Sequence, residues 1–412
     1  MDNLAFGTKS SIRIERCQVC DSPDLTEVIS LGHLPQVNVM QTIGEQLQEE
    51  TFFPCELLQC QKCSLVQISH IVDPKLVFPP SYSYCSRTTK ILREDFANLA
   101  VEAEKIIGLQ ADDLVVDVGS NDGTLLSNFT KFKILGVEPT DNAKYANEHG
   151  IPTIQKFFNQ EVAEEVVLKY GQAKLITICN AFAHIEGVHD VVEAIKTLKR
   201  EDGVFISENH YLVGLIKTNQ WDTIYHEHIR YYSLTSIKYL LEMHDLEIFD
   251  VQMIPTHGGS IRVFSANKGQ YPISQNVKSV LVKEKEYLTT NTFKQFKKNV
   301  VSSKMELYSL LNTLQGSIAG IGVPSRGITL LNYIGLNEDI IDYILETKGS
   351  AKIGKYACGT KIPILEETSE LINSADNLLF LSWHIADEIV PKLRAKGFNG
   401  KFFTPLPNPK EI

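Results

Sequence analysis

Between residues 113 and 404, apolar runs of four to six residues alternate with helix-length amphipathic stretches. The runs fall at 113–118, 133–138, 175–180 and 203–208, and again at 317–322, 341–345, 377–381 and 401–404. A run that is apolar at every position needs both faces covered, and strands joined by helices form βαβ units with parallel strands. This pattern predicts an α/β chain with two Rossmann-like sheets. Two further runs, 246–253 and 260–266, are split by Pro255-Thr256-His257-Gly258-Gly259 and read as an antiparallel hairpin closing the first series. Residues 275–313, rich in Lys, Glu, Gln and Asn with apolar spacing, predict one or two solvated connecting helices. A chain of 412 residues is too long for one core. The composition shifts place domains at 1–75, 76–285 and 286–412.

The first of these domains carries Cys17-Gln18-Val19-Cys20 and Cys60-Gln61-Lys62-Cys63, with 39 residues between the pairs. Two intervening residues let both thiolates of a knuckle face one ion, and two knuckles complete a tetrahedral site. Cys17, Cys20, Cys60 and Cys63 are therefore the expected zinc ligands. A closed four-thiolate site leaves the metal no open position, so its expected role is structural. A redox disulfide is disfavoured because the first pair lies outside any thioredoxin-like βαβ pattern. Cys55, Cys85, Cys179 and Cys358 stand alone and read as apolar fillers.

Forty basic residues against 50 acidic ones give a net charge of −10, which argues against a surface that coats nucleic acid. No stretch approaches the roughly 20 apolar residues that span a bilayer. Residues 1–7 show no cationic segment followed by an apolar run, so a cytoplasmic protein is expected, with no membrane partner.

The run 113–118 ends in Asp117-Val118-Gly119-Ser120-Asn121-Asp122-Gly123. Glycines let backbone approach a ligand, and acidic groups accept from ribose hydroxyls. The dinucleotide fingerprint wants a second glycine where Asn121 stands, which favours a ligand without a diphosphate. Glu138 ends the next run, 21 residues after Asp117, where a ribose-diol acceptor belongs. Asn180 ends the fourth position of the series, where adenine or substrate is contacted. The arrangement matches S-adenosylmethionine-dependent methyltransferases, with Asp117, Gly119, Asn121, Asp122, Gly123, Glu138 and Asn180 as cofactor contacts.

About a hundred residues later come Tyr225-His226-Glu227-His228, four proton-carrying side chains in succession. Imidazole titrates near neutrality and a neighbouring carboxylate raises its basicity, so the cluster suits general acid–base work. If the stretch is extended, His226 shares a face with His228. A His-x-His metal pair lacks an obvious third ligand, and a structural histidine pair is the plain alternative.

The chain resembles, over nearly its whole length, the nucleotide-sugar C-methyltransferases that place a methyl branch at C3 of deoxysugars. The resemblance rests on the cysteine pairs, Leu31-Gly32-His33-Leu34-Pro35 and Val118-Gly119-Ser120-Asn121-Asp122-Gly123-Thr124-Leu125-Leu126. It continues through Asn180-Ala181-Phe182-Ala183-His184-Ile185, Asp222-Thr223-Ile224-Tyr225-His226-Glu227-His228 and His257-Gly258-Gly259-Ser260-Ile261-Arg262. A last block is Gly354-Lys355-Tyr356, then Gly359-Thr360-Lys361-Ile362-Pro363-Ile364. The resemblance implies a zinc-binding N-terminal domain, a central methyltransferase domain and a C-terminal Rossmann-like domain. A sugar nucleotide would sit between the last two.

The chain departs from the family at Gly322-Val323-Pro324-Ser325-Arg326-Gly327, where Gly-Ala-Pro-Ala-Lys-Gly is usual. It departs again at Cys358, where proline is usual, and at Cys85-Ser86-Arg87-Thr88, where Ser-Gly-x-Ser is usual.

Carbon methylation needs a carbanion equivalent, and a sugar carbon is acidic only beside a carbonyl. The expected substrate is a nucleotide-diphosphate-linked 4-keto-deoxysugar, deprotonated at C3. His228 is the expected base, with Glu227 or His184 orienting it and Tyr225 bonding the enolate oxygen. His226, Arg262, Arg326, Lys352 and Lys355 are the expected substrate contacts, the basic ones through the diphosphate. Arg326 leads these because it precedes a helix whose N-terminus could also face phosphate. An O- or N-methyltransferase on a nucleotide sugar is the alternative enzyme, and a non-catalytic zinc-module binding protein is the alternative outside catalysis.

Overall fold

A computed structural model describes residues 10–80, 82 and 84–412. The segment 1–7, read above for a targeting signal, lies outside them. Nineteen strands build four sheets among the described residues.

The N-terminal strands are β1 (Ser11–Arg13), β2 (Leu25–Pro35), β3 (Phe52–Cys60), β4 (Val66–Ile68) and β5 (His70–Val72). Strands β2, β3 and β4 pair antiparallel as a meander, and β1 pairs with β5.

The central strands are β6 (Leu114–Val118), β7 (Lys133–Val137), β8 (Thr153–Ile154), β9 (Ala173–Cys179) and β10 (Lys199–His210). They are followed by β11 (Arg230–Tyr231), β12 (Leu246–Ile254) and β13 (Ser260–Asn267). All but β11 form one sheet in the order β12-β13-β10-β9-β6-β7-β8. Its strands from β10 to β8 run parallel, and β13 runs antiparallel between β10 and β12. Every residue of β6 and β9 is buried, as their mostly apolar composition favours. The predicted hairpin 246–253 and 260–266 is β12 and β13. Strand β8, two residues long, was too short to be legible in the sequence.

Strand β11 leaves this domain altogether. It pairs antiparallel with β4, so the N-terminal sheet reads β11-β4-β3-β2. The stretch just after the Tyr-His-Glu-His cluster is therefore pinned to the cysteine-bearing region.

The predicted connecting helices are Gln275–Tyr287 and Thr290–Asn312. The second buries Phe293, Phe296, Val300, Leu307 and Leu311 on one face, and Trp221 Nε1 donates to its Ser303 Oγ at 3.0 Å. The last strands are β14 (Ile318–Ile321), β15 (Tyr343–Glu346), β16 (Ile364–Glu366), β17 (Asn377–Phe380), β18 (Lys401–Thr404) and β19 (Lys410–Glu411). They form a sheet in the order β16-β15-β14-β17-β18-β19, parallel except for β19. The fold is α/β with two Rossmann-like sheets behind a small N-terminal sheet. No described helix is long and apolar enough to cross a membrane.

Candidate functional site

In an open α/β sheet, ligands bind beyond the carboxyl ends of the strands where the strand order reverses. In the central sheet this switch lies between β6 and β9, with β7 on one side and β10 on the other. The loop after β6 turns there. Gly119 adopts φ +72°, and a Cβ on it would come within 2.6 Å of the Ala181 Cβ, so only glycine fits. Its N–H donates to the Val137 carbonyl at 2.8 Å, and the Asn121 N–H donates to Glu138 Oε2 at 3.0 Å. Glu138 Oε1 accepts from the Thr140 N–H (2.9 Å) and hydroxyl (2.6 Å). An ionised carboxylate offers about four acceptor positions, so one remains.

Asp117 lies beneath the loop and accepts from the Thr177 hydroxyl at 2.6 Å. Burial, with the Glu138 charge adding to it and the Thr177 bond opposing it, pushes its pKa up to about 7. Asn180 holds φ +55°, and its buried Nδ2 has no partner among the described residues. An unpaired buried amide in a crevice at the switch point fits a polar ligand.

Two of the expected cofactor contacts turn the other way. Asn121 Oδ1 accepts from the Ser86 N–H at 2.9 Å, and its Nδ2 donates to the Tyr84 carbonyl at 3.1 Å. Asp122 Oδ2 accepts from the Arg87 N–H (3.0 Å) and guanidinium (3.1 Å), while Oδ1 accepts from the Thr124 hydroxyl. Their side chains hold the segment 84–88 against the loop. Gly123 adopts φ +78° against Ile151, a backbone role. The crevice retains the loop backbone, Glu138 and Asn180, a set that suits a nucleoside without a diphosphate.

The Tyr225–His228 stretch is a turn, not a strand: the His228 N–H donates to the Tyr225 carbonyl at 3.0 Å. The N–H groups of Ile229 and Arg230 donate to Ala183 O at 3.1 and 3.3 Å, which docks the turn on the loop after β9. This brings His228 beside His184, ring centroids 4.8 Å apart, and beside Tyr225, at 4.3 Å.

His228 Nδ1 lies 2.7 Å from the Thr223 carbonyl. A carbonyl only accepts, so Nδ1 is the donor in this contact, which makes Nε2 the basic nitrogen of the uncharged ring. Burial, then the neighbouring His228, keep the His184 pKa well below the usual histidine value, so that ring is neutral. Burial and the Glu227 charge hold the Tyr225 phenol well above its usual value, leaving it an O–H donor.

Glu227 was expected to orient His228. Instead its carboxylate accepts from Asn38 Nδ2 and from the Tyr82 hydroxyl, the latter at 3.1 Å. Burial pushes its pKa up to about 7, against the opposing pull of these donors and of Lys352. The orienting group is the Thr223 carbonyl, which has no side-chain signature in the sequence. Tyr82 and Asn38 were missed as well, because they meet Glu227 from 145 and 189 residues away.

His226 faces the N-terminal sheet and not His228. Its Nε2 lies 3.1 Å from the Pro54 carbonyl, its ring meets Phe53 edge-on, and burial lowers its pKa to about 4. In a turn, unlike a strand, side chains two apart need not share a face.

The expected diphosphate cations divide. Arg262 stands inside β13, wholly buried, with Nε on Glu208 and Nη2 on Asp95, both at 2.8 Å. Arg326, expected just before a helix, is the second residue of the helix Ser325–Ile334, and its Nε and Nη2 both engage Asp222 at 2.8 Å. A buried guanidinium demands such partners, and the glycines nearby gave no sign of them. Lys352 donates to the Val323 carbonyl at 2.8 Å, and its charge reaches Glu227. Lys355 is half-buried and bridges through its backbone to Thr42.

The four cysteine sulfurs of the N-terminal knuckles lie within 4.8 Å of one another, all buried. Cys17 and Cys63 are 3.4 Å apart, as are Cys20 and Cys60. Four sulfurs at about 2.3 Å from a zinc ion would be of similar spacing. The knuckles match in detail: the Asp21 N–H returns to the Cys17 carbonyl and the Ser64 N–H to the Cys60 carbonyl, each at 3.0 Å and each with positive φ.

Comparison with known proteins agrees along the chain. Residues 17–78 match a family described as a zinc binding domain, 90–251 a methyltransferase domain, and 255–407 a C-methyltransferase C-terminal domain. The C-methyltransferase NovU of Streptomyces niveus is 32% identical over 409 residues, covering 97% of either chain. The chain belongs to this C-methyltransferase family.

Solved structures match part of the C-methyltransferase. One is an S-adenosylmethionine-dependent methyltransferase from Clostridium acetobutylicum, 14% identical, covering 43% of this chain and 92% of that one with a TM-score of 0.34. Another is a magnesium protoporphyrin IX methyltransferase from Synechocystis, 11% identical, covering 43% and 80% with a TM-score of 0.33. As a C-methyltransferase the chain uses S-adenosylmethionine, and its four-cysteine cluster fits zinc.

Proposed function

We propose that this C-methyltransferase acts on a nucleotide-diphosphate-linked 4-keto-deoxysugar, methylating C3 through an enolate. S-adenosylmethionine, held by the loop after β6 with Glu138 and Asn180, supplies an electrophilic methyl group. His228 Nε2 removes the C3 proton. The carbonyl of Thr223 takes the Nδ1–H, which leaves Nε2 as the basic nitrogen of the uncharged ring, and then stabilises the imidazolium. Tyr225, held as a phenol, donates to the enolate oxygen. His184, neutral and against the His228 ring, sets its position. Lys352, whose charge reaches Glu227 from beyond the carboxyl end of β14, is the cation best placed for the diphosphate. Zinc holds the N-terminal sheet and takes no part in the chemistry, since four thiolates leave it no open position.

The observation that carries this reading is the 2.7 Å contact between His228 Nδ1 and the Thr223 carbonyl, which poises a base on the turn docked beside the cofactor loop. The test is exchange of the C3 proton of a thymidine-diphosphate 4-keto-6-deoxyhexose in deuterated water with S-adenosylhomocysteine present. Exchange that disappears in His228→Asn is expected. Methylated product without any exchange would instead indicate a hydroxyl acceptor.

A further inference from the structure

We propose that Arg326, from the C-terminal sheet, is a positioning residue that fixes the tautomer of His228. The inference rests on the reading of His228 as the base. Arg326 grips Asp222 with two parallel hydrogen bonds, Nε to Oδ2 and Nη2 to Oδ1, both 2.8 Å, and also reaches Gln220 Oε1 at 3.2 Å. The Asp222 side chain is fully buried and that of Arg326 nearly so, at 0% and 8% exposure. Trp383 completes the clamp: its indole N–H donates to the same Asp222 Oδ2 at 2.7 Å, and its ring lies 4.7 Å from the guanidinium.

Asp222 is the middle residue of a single helical turn, Trp221–Thr223. That turn is held from inside by Thr223, whose hydroxyl donates to the Gln220 carbonyl at 2.7 Å. The next carbonyl along, that of Thr223, is the acceptor for His228 Nδ1. One planar peptide unit therefore separates the clamped Asp222 from the group that decides which imidazole nitrogen carries the proton. A histidine in water favours the Nε2–H tautomer, which has no lone pair to offer a substrate from that side. The other tautomer persists here only while the Thr223 carbonyl stays aligned.

Bidentate charged hydrogen bonds fix direction as well as distance, which a lysine cannot do. The family's usual lysine at this position would make a single contact with Asp222. Arginine in this chain gives the C-terminal sheet rigid control of the turn. The charged and titratable groups around it are Asp222, the Tyr225 phenol, on which both Arg326 and Asp222 act, and Glu227 beyond.

The experiment is long-range proton–nitrogen NMR of the full-length, zinc-loaded protein labelled with [15N]histidine, without substrate. His228 is identified from the signal lost in His228→Asn. In the wild type the proton of the neutral ring should sit on Nδ1 and not on Nε2. In Arg326→Lys the share of the Nε2–H tautomer should rise about tenfold, as loss of one hydrogen bond's net contribution would give. Trp383→Phe keeps the ring and removes only the indole donor, and should move the signal the same way by less. Arg200→Lys, a surface pair away from the turn, should not move it. The tautomer is read whether or not His228 acts as the base, so failure of the proposed function leaves this measurement intact. An unchanged His228 tautomer in folded Arg326→Lys overturns the proposal. Should that variant not fold, an unchanged signal in Trp383→Phe does so.

Discussion

The two Rossmann-like sheets make the same opening turn and use it differently. After β6, the Gly119 N–H returns to Val137 of the neighbouring strand and the Asn121 N–H reaches Glu138 at its tip, at 2.8 and 3.0 Å. After β14, the Gly322 N–H returns to Leu345 and the Val323 N–H reaches Glu346 at the tip of β15, at 2.9 and 2.7 Å. Both glycines have positive φ, and on both a Cβ would strike the residue that follows the strand across the switch point, Ala181 or Ser382. Beyond the turn they part. At the first sheet a buried Asn180 amide is left unpaired. At the second, the Val323 carbonyl takes the Lys352 ammonium, and Arg326 at the helix start swings away to Asp222. A strand, a glycine turn and an acid are thus not enough to mark a nucleoside site.

The comparison presumes that the N-terminal sheet aligns both crests. Strand β11 ties the Tyr225–His228 turn to β4, while Ile43 and Gln41 pair with Gly354 and Tyr356 in the loop between β15 and β16. The largest effect is therefore expected from Cys17→Ser, because structural zinc contributes on the order of 10 kcal/mol to a small module. Metal analysis should find zinc lost and circular dichroism a broadened, earlier melt. A variant that keeps one zinc per chain and its melting curve would break the alignment idea. Next comes His228→Asn, expected to slow turnover by about 10² to 10⁴ while S-adenosylmethionine affinity stays within about twofold. Loss of affinity in calorimetry would place His228 in the cofactor site instead.

Glu227 is buried against Asn38 and Tyr82, and its pKa is raised from the usual 4.5 to about 7. A raised pKa means stability that is complete below pH 4.5 and lost as pH climbs through 7, on the order of 3 kcal/mol. Glu227→Gln should remove that loss. Its melting point should match the wild type near pH 4 and exceed it at pH 8, and a gap that does not grow with pH counts against a buried, reluctant carboxylate. The smallest effect sharpens the comparison most directly. Glu138→Ala should weaken S-adenosylmethionine by about 2 kcal/mol, the cost of losing charge-assisted bonds, whereas Glu346→Ala should leave it within about twofold. Equal losses would show that both turns serve the cofactor.

The sequence by itself determined what depends on neighbours along the chain. Cysteine spacing set the knuckles, unbroken apolar runs set the buried parallel strands, and a glycine beside the next strand's acid set the loop geometry. The histidine on the turn was legible as a proton carrier for the same reason, since its chemistry belongs to its side chain. What only the tertiary structure decided is where each polar group points. His226 and His228 differ by two positions, yet one meets Pro54 and the other Thr223, because a turn replaces the strand that would have aligned them. Glu227 is taken by Asn38 and Tyr82, Arg262 by Glu208 and Asp95, and Arg326 by Asp222. A buried charge must find its partner, and here most of those partners lie from 54 to 189 residues away, where no local pattern reaches.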